Sequence, residues 1–287
     1  MAMEIRYNHV SADYQLGPIR TINVLDDVNL LIKPSSFTAI VGHTGAGKSS
    51  LLKVLNGLIR PKQGEVKIGE YYVSSNNDST SLKEVRKRVG MVFQFPESQL
   101  FAETVEKDIC FGPLNFGVGL NEAKEMAKKA IYQVGLDASF LQKSPFSLSG
   151  GQKRRVAIAG ILAMKPEILI LDEPGAGLDP NGKKEILSLI ASWNKNDKLT
   201  TIMVTHEMDD VAQFADDVIV MEQGKIIFHD DVRTFFANLD QIQSWHLGIP
   251  EARRFQLLIE EKTGVSLPTI CLTVEELADC LIEVGLA

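Results

Sequence analysis

Gly42-His43-Thr44-Gly45-Ala46-Gly47-Lys48-Ser49 fits the spacing G-x-x-x-x-G-K-[ST]. That spacing suits a dense anion. Glycines let the main chain wrap closely around phosphate oxygens without a Cβ in the way, and the helix that follows offers free N–H groups. Lys48 adds one ammonium, expected at the β- and γ-phosphates of a triphosphate, and the Ser49 hydroxyl is placed to ligate Mg²⁺. The binding set therefore runs from Gly42 through Ser50, with ATP as the expected ligand.

Asp172 and Glu173 follow the apolar run Ile168-Leu169-Ile170-Leu171, at the C-terminal end of a strand, where open α/β sheets place their ligands. Adjacent residues leaving a strand point in different directions, so the two carboxylates can take separate tasks. Asp172 is the expected Mg²⁺-side carboxylate. Glu173 is the candidate general base that orients and polarises the attacking water. A pair of solvated surface carboxylates is the bland alternative; the four apolar residues before the pair and Pro174 after it argue against that. His206, in Val204-Thr205-His206-Glu207, and Gln94, after Val89 to Phe93, also stand at the ends of apolar runs. Alone, each is as readily a structural residue as a functional one. A second glycine-rich segment, Leu148-Ser149-Gly150-Gly151-Gln152, opens a helical stretch running through Arg154 to Ala163. Its free N–H groups and helix dipole favour another phosphate contact.

These residues need a scaffold, and the pattern supplies one. Phe37 to Val41 reads as a buried strand that ends at the phosphate loop, and Lys48 to Leu58 as the helix after it. Glu65 to Ile68 and Val89 to Phe93 are short strand candidates; Ile168 to Leu171, Thr201 to Val204 and Val218 to Met221 read as strands covered on both faces. Asn121 to Val134 has 3-4 apolar spacing, with Asn121 as a candidate cap. Ser74 to Ser81 reads as a surface turn. Strands alternating with helices predict an α/β fold with a mainly parallel sheet and flanking helices. From about residue 233 the character changes. Pro250 to Lys262 and Thr273 to Val284 read as two helices, the second with Thr273 and Glu276 in capping-box spacing. It carries the apolar stripe Val274, Leu277, Ala278, Leu281 and Ile282. Packing onto the main domain and contact with a second subunit are equal readings of that stripe.

Composition narrows the class. A chain of 287 residues holds one large α/β domain and a small appendage. The net charge is −7 with no Lys/Arg block, which argues against nucleic acid as a partner. Cys110, Cys271 and Cys280 fit neither metal spacing nor a disulfide framework, as in a reducing, cytoplasmic setting. The N-terminal residues lack a secretory signal pattern, and no apolar run approaches the length of a membrane span.

Taken together and in this order, the motifs resemble those of the ATP-binding cassette (ABC) ATPases, and Leu148 to Gln152 matches that family's signature. The resemblance implies a P-loop cassette over residues 1–232, with antiparallel N-terminal strands and a helical signature subdomain at about 95–165, followed by a helical extension over 233–287. It implies catalysis by a pair of cassettes, in which Ser149, Gly150, Gly151 and Gln152 of one subunit close over ATP held by the other. His206 would be the switch histidine at the γ-phosphate. Gln94 would meet Mg²⁺ and the attacking water, and Asp179 in Gly177-Leu178-Asp179 would communicate across the dimer. Tyr14 resembles the aromatic that stacks on adenine, with Tyr7 as a competitor and a core role open for either. Gly175 departs from the pattern, since many cassettes carry Thr or Ser there.

Gln94-Phe95-Pro96-Glu97-Ser98-Gln99-Leu100-Phe101 is further similar to the corresponding segment of energy-coupling factor (ECF) transporters, importers of vitamins and transition-metal ions. In that resemblance Glu97 pairs with arginines of a transmembrane coupling component, and Phe95, Pro96, Gln99, Leu100 and Phe101 help form the docking surface. His43 and the run Arg154 to Gly160 resemble the second of two sister ATPases, and the resemblance spans nearly the whole chain, from Ile5 through the tail, including Pro250 to Arg254. The implied partners are a related ATPase in a heterodimer, the coupling component and an exchangeable substrate-binding membrane component. The chain would thus lie peripherally on the cytoplasmic face of the membrane. A dedicated cobalt, nickel or biotin importer with a homodimer of such subunits is the near alternative. A soluble ABC protein of translation or DNA repair is the distant one; such proteins typically carry two cassettes or a long coiled-coil insertion.

Overall fold

The computed structural model describes the backbone of residues 3–16, 19–76 and 79–286. Residues 1–2 of the N-terminal segment, 17–18, 77–78 of the expected turn and 287 lie outside the described residues. The strands are β1 (Ile5–Leu16), β2 (Ile19–Ile32), β3 (Phe37–Val41), β4 (Gln63–Ile68) and β5 (Tyr71–Ser74), then β6 (Val89–Val92), β7 (Ile168–Asp172), β8 (Thr200–Val204), β9 (Asp217–Glu222) and β10 (Lys225–Asp231). One sheet is antiparallel, in the order β2-β1-β4-β5. The other has the order β10-β9-β3-β8-β7-β6 and is parallel except where β10 pairs with β9.

Side chains alternate across a strand, and in the parallel sheet both resulting faces are apolar. Ala39, Val41, Leu169, Leu171, Met203, Val218 and Val220 face one core, shared with the helices. Ile40, Ile168, Ile170, Ile202, Val204, Ile219 and Met221 face a second core, shared with the antiparallel sheet. This explains the continuous apolar runs in the sequence.

Helix α1 (Lys48–Leu55) lays Leu51, Leu52 and Leu55 into the second core. It stops three residues short of the expected Leu58, because Gly57 turns into the left-handed region at φ +69° and its N–H bonds the Val54 carbonyl. Helix α2 (Ser79–Arg88) occupies a stretch whose Ser/Asn-rich lead-in suggested only a turn. The helical subdomain consists of α3 (Val105–Asn115), α4 (Leu120–Gln133) and α5 (Gly150–Leu162), with short 3-10 turns between them. Helix α4 is entered from Gly119, so Asn121 lies inside the first turn rather than at the cap. Helices α6 (Pro180–Asp197) and α7 (Met208–Phe214) complete the flanks.

The chain continues through α8 (Val232–Ala237) and α9 (Leu239–Ser244) to α10 (Glu251–Thr263) and α11 (Val274–Glu283). Phe235, Phe236 and Ile242 are buried in the main core, whereas Ala252, Leu267, Cys271, Leu277 and Cys280 form a separate cluster. The two clusters interleave in the tail, since Leu272 is buried in the main core with Ile270 packed beside it. Thr273 caps α11 by accepting from the Glu276 N–H at 3.2 Å. Glu276 does not return the bond to Thr273; its carboxylate accepts from the Leu272 N–H and the Arg233 guanidinium. The stripe of α11 splits: Leu277 is buried with Cys280, while Val274 and Ile282 stay 65% and 63% exposed.

Ile170 lies in the interior strand β7 with no exposed surface. Ile170→Ala should destabilise the fold by about 3–4 kcal/mol, the cost of a core cavity, read from denaturant unfolding. A loss below about 1 kcal/mol would contradict this packing.

Candidate active site

Parallel register collects the chemistry at one edge. Val92 of β6 pairs with Leu171 of β7, Leu171 with Met203 of β8, and Met203 with Ala39 of β3. Gln94, Glu173, His206 and Gly42 each follow within three residues of that row. Four expected site segments thus leave the sheet side by side.

The phosphate loop turns between β3 and α1 because its glycines permit what other residues do not. Gly42 sits at φ +141°, and a Cβ there would lie 2.2 Å from the Met221 carbonyl oxygen. Gly47, at φ +103°, caps α1, and a Cβ there would lie 2.6 Å from the Val24 carbonyl oxygen. The loop is stitched to the β9–β10 turn, where the Gly224 N–H donates to the Ala46 carbonyl at 2.9 Å. Lys48 Nζ donates to the carbonyls of Gly42 and His43 at 2.7 and 2.8 Å. Burial pulls the Lys48 ammonium below its usual range, opposed by the negative fields of Glu173 and Asp172.

Asp172 lies beside the loop. Burial pushes its carboxyl above the usual range, and the Ser49 hydroxyl opposes this through a hydrogen bond. Ser49 and Asp172 are therefore neighbours, as a shared cation requires. Glu173 is met from two sides: Gln94 Nε2 donates to one carboxylate oxygen at 2.9 Å, and His206 Nδ1 lies 3.4 Å from the other. The Glu173 backbone is left-handed, at φ +50°, with its N–H on the Val204 carbonyl at 3.0 Å. Such a conformation is uncommon for a residue with a Cβ and persists where surroundings fix it.

The remaining expected residues are placed differently. Ser149 and Gln152 form a reciprocal capping box at the start of α5: the Gln152 N–H donates to Ser149 Oγ at 3.4 Å, and the Ser149 N–H to Gln152 Oε1 at 3.1 Å. Gly150 and Gly151 open onto free space, with nothing within 4 Å of a Cβ built on either. Asp179 caps α6 by accepting from the Gly182 N–H at 3.0 Å. Tyr7 is a core residue, 2% exposed, with its hydroxyl on the Leu51 carbonyl at 3.0 Å. Tyr14 is partly exposed, and Lys53 Nζ lies 5.1 Å from its ring centre. Of the two tyrosines, Tyr7 is thus the core residue and Tyr14 the partly exposed one. Gly175 packs on the Lys183 stem, where a Cβ would stand 2.9 Å from Cγ, and Lys183 is held by Asp210 at 2.8 Å. A larger residue at 175 would have to displace that pair.

Along the expected docking segment, Phe95 and Phe101 are 46% and 59% exposed, and Phe101 meets Phe111 edge-to-face at 4.9 Å. Pro96 is buried, Leu100 is half-buried and Gln99 is exposed. Glu97 has a partner within the chain: both carboxylate oxygens accept from the Arg154 guanidinium, at 2.9 and 3.0 Å. An apolar cavity of about 310 Å³ opens nearby between Leu58, Phe93, Phe116, Ile161 and Met164. No local spacing marked it, because its walls come from distant segments. Nor did the sequence signal that His43 Nε2 lies 2.8 Å from the Trp245 carbonyl oxygen.

Fold and site together define a nucleotide-binding cassette, and the comparisons agree. Residues 25–176 match the ABC transporter family. The energy-coupling factor transporter ATP-binding protein EcfA2 of Enterococcus faecalis is 50% identical over 98% of this chain and 97% of its own length. Its counterpart in Geobacillus kaustophilus is 48% identical over 97% and 96%. Among solved structures, cbiO1 from Clostridium perfringens, part of the ABC transporter complex cbiONQ, shares 31% identity at a TM-score of 0.74 over 92% of this chain and 100% of that one. The cassette MJ0796, in a dimeric post-hydrolysis state bound to ADP and Pi, shares 29% identity at a TM-score of 0.70 over 80% and 99%. The chain belongs to the ABC transporter family, among the ATP-binding proteins of energy-coupling factor transporters. It is an ATP-binding ATPase.

The Asp172 environment gives a signed prediction. With its carboxyl raised in the fold, the unfolded chain releases that proton more readily, so ionisation costs stability as pH rises past the ordinary carboxylate range. Asp172→Asn should raise Tm at neutral pH, lose that advantage as pH falls to about 4, and abolish turnover. A lower Tm at neutral pH would contradict the assigned burial cost.

Proposed function

We propose that this ATPase powers an ECF-type importer of vitamins or other micronutrients, as a peripheral subunit on the cytoplasmic face of the membrane. The observation that carries the reading is the convergence of Gln94 and His206 on the carboxylate of Glu173, beside Lys48 and Asp172. Lys48 is held by loop carbonyls that a triphosphate can replace as its partner. Glu173 would take the proton of the attacking water, with Gln94 and His206 fixing its two oxygens and His206 reaching the γ-phosphate. Tyr14 would stack on adenine.

The oxygen donors of Ser49, Asp172 and Gln94 suit Mg²⁺, a hard cation that prefers oxygen and is commonly shared with phosphates. When bound, it would neutralise charge developing on the phosphate oxygens. The open space before Gly150 and Gly151 leaves the α5 N-terminus free for the γ-phosphate of a facing subunit. Asp179 would signal across that interface. ATP would then join two cassettes, and hydrolysis would part them.

The partners we infer are a sister ATPase, a transmembrane coupling component and an exchangeable substrate-binding membrane component. The segment from Phe95 to Phe101, with the adjoining apolar cavity, is the proposed docking surface for the coupling component. In this reading Glu97 uses its remaining lone pairs for the partner's arginines while keeping Arg154. Val274 and Ile282 on α11 offer an apolar face to the sister subunit. Relatives at 50% and 48% identity, against 31% for cbiO1, favour the shared importer over a dedicated homodimeric metal system. Among the described residues no helix is long and apolar enough to cross a membrane, so membrane attachment is assigned to the partners.

Two experiments test this reading. Glu173→Gln in the assembled complex should cut turnover by at least about 100-fold, a typical general-base contribution, while ATP still binds; unchanged turnover would remove Glu173 as base. Phe101→Glu should abolish co-purification with the membrane component and leave ATP affinity within about twofold, since surface changes rarely disturb the fold. Normal co-purification would remove the docking surface.

A further inference from the structure

Arg154 is the largest of the fully buried side chains, 1% exposed. A buried guanidinium is costly unless its donors are satisfied. Here Nε and Nη2 donate to the two oxygens of Glu97 at 3.0 and 2.9 Å. Nη1 donates to the carbonyls of Pro174 and Ala176, at 3.1 and 2.7 Å. The planar fork of arginine allows this four-way arrangement; a single ammonium has only three donors at one point.

The two carbonyls belong to the turn directly after Glu173. Backbone freedom in that turn lies at Gly175, since the ring of Pro174 fixes its own φ. Pro174 has no N–H to donate, Gly175 has the widest backbone freedom of any residue, and Glu173 itself is left-handed at φ +50°. The Ala176 N–H closes the turn on the Glu173 carbonyl at 3.1 Å, and Arg154 holds it from outside at both Pro174 and Ala176. Glu97 in turn fixes the plane of the guanidinium. Segment 94–97 therefore grips the Glu173 region twice: directly, through the Gln94 amide on the carboxylate, and indirectly, through Glu97 and Arg154 on the backbone.

We propose that Arg154 is a positioning residue for ATP hydrolysis: oriented by Glu97, it clamps the Pro174 and Ala176 carbonyls and so fixes where Glu173 presents its carboxylate. The inference rests on Glu173 as the base. It adds that displacement of segment 94–97, the docking segment, moves the backbone of the base as well as the amide beside it. A plain structural ion pair would need only Glu97 and Arg154. The clamp needs the donor at position 154.

That difference sets the test, carried out on the assembled complex with turnover, ATP affinity and Tm measured for each variant. Arg154→Glu paired with Glu97→Arg restores an ion pair but leaves no donor at position 154 for the turn carbonyls; because Glu97 also lies on the proposed docking surface, turnover is counted per assembled complex. The clamp predicts that Tm recovers relative to Arg154→Glu alone while kcat stays at least about tenfold low, as small misplacements of a catalytic group do. Recovery of both Tm and kcat would overturn it. If the swapped pair does not fold, Arg154→Lys decides, because it keeps the buried charge and loses the fork. The expected result is kcat reduced about tenfold with KM for ATP within about threefold, the signature of a lost transition-state interaction; wild-type kcat would overturn the clamp. Glu173→Gln run alongside separates the two assignments. If it retains turnover, the base reading fails; if it is inactive while Arg154→Lys is normal, only the clamp fails.

Discussion

The parallel register of β6, β7, β8 and β3 is the constraint on which the rest of the site depends. Val92, Leu171, Met203 and Ala39 form one row across the sheet, and each strand releases a candidate site residue just beyond it. The register is held because both faces of these strands are buried. A slip by one residue would exchange the two apolar sets between cores of different shape and would turn every outgoing side chain to the opposite face. Hydrophobic packing thereby supplies the placement that Lys48, Gln94, Glu173 and His206 require.

Local chemistry then refines the placement. Glycines at 42 and 47 bring the phosphate loop against the β9–β10 turn and the β2 backbone, where a Cβ has no room. Glu173 accepts an unfavourable backbone angle and is held by Gln94, His206 and the turn that follows. The signature end is built on the same economy, since Ser149 and Gln152 cap α5 while Gly150 and Gly151 leave its N-terminus open. One set of residues forms a cradle, and the other, in the proposed reading, closes over nucleotide held by a second chain. That division favours a catalytic unit made of two chains.

Much of this was legible in the sequence because it is local. The phosphate-loop spacing, the apolar run before Asp172 and the glycine pair after Ser149 each describe a single segment. The covered strands announced themselves by continuous apolar character. What escaped depends on contacts between distant segments. Nothing around Glu97 indicated that position 154 would satisfy it, and nothing in the phosphate loop pointed to Trp245. Trp245 itself is fixed by an aromatic group with Phe228 and Phe235, ring centres 5.5 and 6.4 Å away. This anchors the start of the C-terminal region to the cassette. The loss of Asn121 as a cap has a simpler cause: Gly119 and Leu120 begin the helix earlier than side-chain preference suggested.

The proposed joining of two incomplete sites by nucleotide is tested most directly by sedimentation of this ATPase with its proposed sister. The sister subunits, each carrying the glutamine substitution at its catalytic glutamate, would be mixed with ATP, with and without Gly151→Trp in this chain. The account predicts ATP-dependent association that the tryptophan abolishes, while this chain still binds nucleotide with unchanged affinity. Undiminished association with a bulky ring at position 151 would contradict it.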